Sequence, residues 1–121
     1  MPLSDFAVVQ TAHDFRLEGP LLTARDGDST VFVPVHRTAL EDHLHTTSLT
    51  IADRKLLAGG NLAILGKIAE AKYASGAVGE FYRFGRAYPF IEILLGDIEG
   101  AGHFLDGTVL KVANGAGWQR R

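Results

Sequence analysis

The sequence predicts an α+β fold in which a small antiparallel sheet packs against a layer of helices. Period-two alternation of apolar residues, typical of strands, occupies both ends of the chain, whereas a helical pattern fills residues 61–76. The resulting order of strands, helices and strands is typical of a domain whose helices cover an antiparallel sheet. With 121 residues, the chain is expected to form a single domain over 1–121, with a loose tail at 115–121.

The first third of the chain has the pattern of strands. Residues 6–9 form a short apolar run, and Phe15 and Leu17 alternate with charged residues before Gly19-Pro20 ends the segment. A β-hairpin is predicted next.

The hairpin should pair residues 21–25 with residues 30–35. The turn signal Asp-Gly-Asp at 26–28 separates these two strands. Pro34 has no backbone N–H to donate to a ladder, so we expect it at a sheet edge or at the end of its strand.

Two helix start signals follow the hairpin. Thr38 and Glu41 have the spacing of a capping box, in which each side chain bonds the backbone amide of the other residue, and this predicts a short helix over 39–45. Thr50 and Asp53 give a second start signal.

The central helix over residues 61–76 is the element against which the strands should pack. Its expected apolar face consists of Leu62, Ile64, Leu65, Ile68, Ala69 and Tyr73. Gly66, Lys67 and Glu70 fall on the other side of the helical projection.

Gly59-Gly60 lies just before this helix. Two interior glycines cost about 2 kcal/mol relative to alanines, which favours a kink or a brief break. A single helix over 50–75 is the alternative. Gly76 is a plausible C-cap.

Two charged residues interrupt apolar patterns. Lys72 projects into the apolar arc of the central helix, where its stem is expected to lie on the core while its ammonium reaches water. Glu92 sits in an apolar strand and is expected on a wet sheet face. A dry position would instead perturb the pKa of either group.

Strands are predicted again after the helix, at 80–84 and 88–95. The Asp-Gly pair at 106–107 predicts a further hairpin within 103–112.

Composition restricts the classes of function. The formal net charge of −2 gives no general attraction to nucleic acid or anionic lipid, and the absence of cysteine excludes thiolate chemistry. The first ten residues lack the features of a signal peptide, and no apolar run approaches the length of a membrane span. We therefore expect a cytoplasmic protein without membrane contact and without a cofactor.

The chain resembles a family of short bacterial domains of unknown function over roughly residues 15–78. The residues that carry the resemblance are Val33-Pro34, Ala39-Leu-Glu-Asp-His43, Asn61, Ile68-Ala69, and Lys72-Tyr73 ahead of Gly76. The resemblance implies a small antiparallel sheet followed by a hairpin-like pair of helices, and it implies no activity.

One cluster has the residue types of a metal site: His36, Glu41, His43 and His45. Imidazole and carboxylate groups bind divalent metals, and histidine can act as a base. On a helix, His43 and His45 point about 200° apart, whereas Glu41 and His45 can grip one ion. The alternative interpretation is a capped surface helix whose histidines are solvated or contact the helix end.

A second cluster interleaves aromatic and cationic residues: Tyr82, Arg83, Arg86 and Tyr88. Such residues can stack on bases and bind phosphates, so a single-stranded nucleic acid could lie across these strands. Few cations on an acidic domain make this interpretation weaker than coverage of a sheet edge or a subunit contact.

These observations lead to three functional hypotheses. The leading one is a non-enzymatic binding or accessory module that forms a homodimer or larger homo-oligomer, because the predicted strands between residues 81 and 95 are apolar on both faces. A small-molecule ligand would be of unknown class. The alternatives are a metal-dependent enzyme that uses the 36–45 cluster and single-stranded nucleic-acid binding through 82–88.

Overall fold

The computed structural model describes residues 3–9, 19–46, 49–83, 85–100 and 102–108. The elements in chain order are β1 (Ser4–Val9), β2 (Leu21–Asp26), β3 (Ser29–Pro34), α1 (Arg37–His43), α2 (Ile51–Gly60), α3 (Leu62–Ala74), β4 (Gly79–Arg83), β5 (Arg86–Phe90) and α4 (Leu95–Glu99). The predicted α+β class is confirmed. The predicted order is wrong in one respect, since the helix α4 follows the last strand.

The sheet has five strands in the order β1-β2-β3-β5-β4. Neighbouring strands are antiparallel except for β3 and β5, which are parallel. The prediction of a purely antiparallel sheet was therefore wrong. The chain leaves β3, passes through three helices, forms β4 at the sheet edge and returns as β5 beside β3.

The parallel pairing continues beyond the end of both strands. The amide of Ile91 donates to the carbonyl oxygen of Phe32 at 2.9 Å, and the amide of Ile93 donates to that of Pro34 at 2.9 Å. The amide of His36 then donates to the carbonyl oxygen of Ile93 at 3.0 Å. Residues 90–93 are thus tied to residues 32–36, and the two segments leave the sheet side by side.

The predicted hairpin of β2 and β3 is confirmed. Its register runs from Asp26 opposite Ser29 to Leu21 opposite Pro34. Pro34 is the last residue of β3, as expected for a residue that cannot donate to the ladder.

A single hydrophobic core lies between the sheet and the helices. On the sheet side it contains Leu22, Val31 and Val33, all of which are fully buried. The central helix α3 contributes Leu65, Ile68 and Ala69, which confirms the predicted face; Leu62, Ile64 and Tyr73 are half-buried against the same core.

Gly66 departs from the predicted helix face. It is buried rather than exposed, because the ring of Phe6 in β1 lies against it. A glycine leaves room for a ring that a larger side chain would displace.

The helix start at Thr50 is confirmed by its hydrogen bonds. The hydroxyl of Thr50 accepts from the amide of Asp53, and the carboxylate of Asp53 accepts from the amide of Thr50, both at 3.0 Å.

The capping box predicted at Thr38 is wrong. Helix α1 begins at Arg37 after His36, which caps it without a side-chain hydrogen bond. Because the amide of His36 is already held by the sheet ladder, strand pairing rather than local capping sets the start of the helix. The Glu41 carboxylate instead accepts from the amide of Leu49 at 3.3 Å.

The predicted break near the paired glycines is present. Helix α2 ends at Gly60 and α3 begins at Leu62, and Asn61 between them has φ −121° and ψ 24°. The backbone bonds on both sides of Asn61 are kept, since its amide donates to Leu57 and its carbonyl accepts from Leu65. The junction is a kink that turns the Asn61 side chain inward.

The strand predicted over 88–95 was too long. Strand β5 ends at Phe90, and residues 95–99 form α4, whose first turn is closed by the Asp97 carboxylate accepting from the amide of Leu94 at 2.9 Å. Residues 103–108 contain no strand, so they do not form the hairpin that was predicted over 103–112. The rest of that hairpin, the segment at Phe15 and Leu17, and the tail predicted at 115–121 lie outside the described residues.

The two glycines Gly59 and Gly19 give opposite stability predictions. Gly59 is exposed in α2 with open space at its Cβ position, so Gly59→Ala should stabilise the protein by about 0.5–1 kcal/mol through helix propensity. A Cβ at Gly19 would collide with the carbonyl oxygen of Val35, so Gly19→Ala should destabilise it by about 1–3 kcal/mol. Urea unfolding of both variants measures the difference, and equal midpoints would contradict it.

Candidate functional site

His36 and Glu92 form a polar pair just beyond the ends of β3 and β5. His36 Nε2 is 2.7 Å from Glu92 Oε2, and the carboxylate side chain is 40% exposed. The parallel pairing described above places both residues at this edge. Glu92 is therefore at a partly wet position, as predicted, and it has a histidine partner 56 residues away that the sequence did not indicate.

Lys72 lies against the same segment from α3. Its Nζ donates to the backbone oxygen of Glu92 and to Asp97 Oδ2, both at 2.8 Å. The prediction that its ammonium reaches water was incomplete, because the side chain is largely buried and bridges α3 to the start of α4. Its charge is therefore used to position residues 92–97.

His43 is buried, which corrects the interpretation that the histidines of this helix are solvated. The residue is 1% exposed, and its Nε2 accepts from the amide of Leu105 at 2.9 Å. A backbone amide can only donate, so Nε2 carries no proton and Nδ1 must carry it. Nδ1 donates to Glu99 Oε2 at 2.8 Å. Both nitrogens of this neutral imidazole are occupied, which leaves none for a metal.

Asn61 binds the backbone of Asp106, the residue that follows Leu105. Its side chain is buried, and its Oδ1 accepts from the amide of Asp106 at 2.6 Å. Its Nδ2 donates to the carbonyl oxygens of Asp106 and Leu57, both at 2.9 Å. The amide thus binds both backbone groups of one residue, as a neighbouring strand would.

The two remaining members of the predicted metal cluster point elsewhere. Glu41 pairs with Arg37 at 3.8 Å as well as with the Leu49 amide, and His45 is exposed at the left-handed end of α1 with φ 53°. The structure therefore does not bring His36, Glu41, His43 and His45 together. Within the described ranges there is no group of three or more histidine and acidic side chains that could hold a metal ion.

Arg54 completes the corner between α1 and α2. It is buried, and its Nη1 donates to the carbonyl oxygen of Leu49 at 2.5 Å. Since Glu41 binds the amide of the same residue, two charged side chains hold Leu49 from both sides. The Nε of Arg54 has no partner among the described residues and is shielded from water, so it offers no bond to a ligand.

The predicted aromatic and cationic cluster is divided between two faces of the sheet. Tyr82 is 70% exposed and pairs with Ala87, whereas Tyr88 pairs with Phe81 one position further along the ladder. Because successive residues of a strand face opposite sides, Tyr82 and Tyr88 lie on opposite faces. The Arg86 guanidinium lies 5.6 Å from the centre of the Tyr88 ring, and Arg83 is opposite Arg86 in the ladder.

An aromatic cluster, formed by Phe32, Phe81 and Tyr88, occupies the sheet face opposite the helices. The Phe32 ring meets Phe81 edge-on at 5.5 Å and Tyr88 edge-on at 5.4 Å. All three residues are half-buried. The sequence placed them on strands, but their meeting depends on the parallel pairing of β3 with β5.

An open groove of about 400 Å³ lies between β1 and α3. It is lined by Phe6, Leu62, Ala63, Gly66, Lys67 and Glu70. Its walls are mostly apolar, so it suits an apolar group, and its polar residues lie on one helix.

Tyr73 links α3 to the end of β2. Its hydroxyl donates to Asp26 Oδ2 at 2.5 Å. This hydrogen bond, with partial burial and the carboxylate charge, raises the pKa of Tyr73 above 10.0. The phenol therefore stays protonated where a free tyrosine would begin to ionise.

Comparison with protein-family models, curated proteins and solved structures finds no match for this chain. The resemblance carried by Val33-Pro34 and the following residues therefore stays a prediction. In the part of the chain that the structure describes, every helix is too short or too polar to cross a membrane.

Asn61→Asp tests the clamp on Asp106. The substitution keeps the shape of the side chain but removes the donors to Leu57 and Asp106, so it should destabilise the protein by about 2–3 kcal/mol. Asp106→Ala is the control, since only the backbone of Asp106 is held by Asn61, and it should cost less than about 1 kcal/mol. Chemical denaturation gives both values, and a larger loss in the control would contradict backbone recognition.

Tyr73→Phe tests the bond to Asp26 through pH dependence. Because the folded state holds the phenol proton more tightly than the unfolded state, stability is fully present below about pH 10 and falls as pH rises through the folded pKa. Tyr73→Phe should remove this part of the alkaline loss, and Asp26→Asn should lower the pKa of Tyr73. Ultraviolet titration of phenolate and unfolding curves at alkaline pH measure the two effects; identical profiles for all three proteins would refute the assignment.

Proposed function

We propose that the protein is a non-enzymatic binding or accessory module that self-associates through the sheet face carrying Phe32, Phe81 and Tyr88. The observation that carries the proposal is the aromatic cluster on the face opposite the helices. Aromatic rings supply large contact areas and are enriched at protein interfaces.

The use of the polar residues supports a binding role over catalysis. Three side chains could in principle act in catalysis: His43, Asn61 and Lys72. All three are instead hydrogen-bonded to groups of the fold itself. A catalytic base needs a nitrogen or oxygen directed at a substrate. The hydrogen bonds of these three residues instead connect distant parts of the chain.

The border of the aromatic cluster also has the composition of an interface. Arg86 is exposed and stacks near Tyr88, and arginine is enriched with aromatic residues at contact surfaces. A second copy of the chain is the proposed partner, because homo-oligomers with two-fold symmetry bury the same patch on both subunits.

Tyr88→Lys and Tyr82→Lys test the proposal as a matched pair. The wild type at micromolar concentration should sediment with at least twice the 13.1 kDa mass of one chain. Tyr88→Lys places a charge on the aromatic face and should give single chains, because burying an unpaired charge is costly. Tyr82→Lys makes the same chemical change on the opposite face and should leave the mass unchanged.

Circular dichroism spectra should show that both variants are folded. A wild type that sediments as a single chain would end the proposal. An oligomer that both variants retain would move the contact away from this face.

A further inference from the structure

We infer that His43 is a proton-operated latch that holds residues 103–106, here called the strap, onto the helices. This device does not depend on the proposed self-association, since its groups lie on α1, α4 and the strap.

The closed strap requires a neutral His43 imidazole, because the Leu105 amide needs Nε2 as its acceptor. Its Nε2 is the acceptor for the Leu105 amide at 2.9 Å, and Leu105 itself is a core residue. A proton added to Nε2 would place an N–H group against the Leu105 N–H group. Because the His43 side chain is fully buried, water cannot take the place of the lost acceptor. Protonation and the closed strap therefore exclude each other.

The groups around the His43 ring determine whether the neutral or the protonated imidazole is favoured. Glu99 on α4 bonds Nδ1 and attracts a protonated ring, but its side chain is 44% exposed, so water weakens the attraction. On the strap, the Phe104 ring lies 6.0 Å from the imidazole and carries no charge. The Asp106 carboxylate accepts hydrogen bonds from the hydroxyl and then the amide of Thr108, and these bonds lower its pKa and direct it away from the ring.

The remaining charged groups bond elsewhere or face water. On α1, Glu41 binds the Leu49 amide and Asp42 is exposed. His103 on the strap is half-buried, and its amide donates to Ile98. Among the described residues, Glu99 is thus the titratable group bonded to the His43 ring.

The geometry gives the sequence of events on acidification. When the strap opens transiently and the bond to the Leu105 amide is broken, a proton from solvent adds to the exposed Nε2, and the bond cannot form again while the ring keeps its bond to Glu99. The strap then keeps the bond of the His103 amide to Ile98 and the two bonds between Asn61 and Asp106. Leu105 is released from the core while the sheet and α3 keep their structure.

Amide hydrogen exchange of the full chain tests the latch. Between about pH 8 and about pH 5, the range in which histidines change charge, the protection factor of the Leu105 amide should fall by about tenfold, the factor that one hydrogen bond supplies. The Leu65 amide in α3 should keep its protection over the same range. Loss of both together would mean global unfolding and would overturn the inference, as would an unchanged Leu105.

Two variants separate His43 from the other histidine–carboxylate pair. His43→Gln offers an uncharged acceptor to the Leu105 amide and should abolish the pH dependence of its protection. His36→Gln makes the same change at the pair with Glu92 and should leave that dependence as in the wild type. The reverse pattern would contradict the latch.

Nitrogen-15 NMR of the wild-type imidazole gives a test that does not depend on a folded variant. At neutral pH the His43 proton should be on Nδ1, with Nε2 bare. The Nε2–H signal should appear over the pH interval in which Leu105 loses protection. A proton on Nε2 at neutral pH, or two separate intervals, would refute the assignment.

Discussion

The parallel pairing of residues 90–93 with residues 32–36 is the constraint on which the rest of the structure depends. Three backbone hydrogen bonds, at 2.9, 2.9 and 3.0 Å, bring the end of the second strand pair beside the end of the first. The segments that follow β3 and β5 then run in the same direction, each into a helix, so α1 and α4 lie together. The contacts of His36 with Glu92 and of His43 with Glu99 follow from this shared direction, and each spans 56 residues.

This arrangement explains why the polar side chains of Lys72, His43 and Asn61 point into the fold. Among the described residues after β5, which are 91–100 and 102–108, α4 is a helix of five residues, so the backbone polar groups outside it need bonds from elsewhere. Lys72, His43 and Asn61 supply them from α3, α1 and the kink between α2 and α3. Each of these side chains stabilises the fold because it binds backbone atoms that would otherwise be unsatisfied.

The local parts of this fold could be predicted from the sequence, whereas the long-range parts could not. The hairpin around Gly27 and the capping of α2 by Thr50 and Asp53 depend on residues within a few positions, and both were predicted correctly. The start of α1 was mispredicted because a bond from His36 to the distant Ile93 overrides the local signal at Thr38. Local propensity is a weak prior where tertiary pairing intervenes.

In the candidate site, too, the local features could be predicted and the long-range contacts could not. Three histidines in ten residues suggested a shared metal, but His36 and His43 each bind a carboxylate that lies near the other end of the chain. The inward position of Asn61 follows from its non-helical backbone, for which the neighbouring glycines gave an indirect signal. The aromatic contacts of Phe32 required knowledge of strand order, which periodicity alone does not contain.

The late position of β5 in the chain also affects how the protein is made. The ribosome releases β1, β2, β3 and the three following helices before the strand that must lie beside β3 has been synthesised. Until then, one side of β3 has unpaired backbone groups next to an incomplete apolar core, a state that invites association with other nascent chains. Because this pairing joins segments that are remote in the chain, we expect folding to be slower than in a helical domain of similar length.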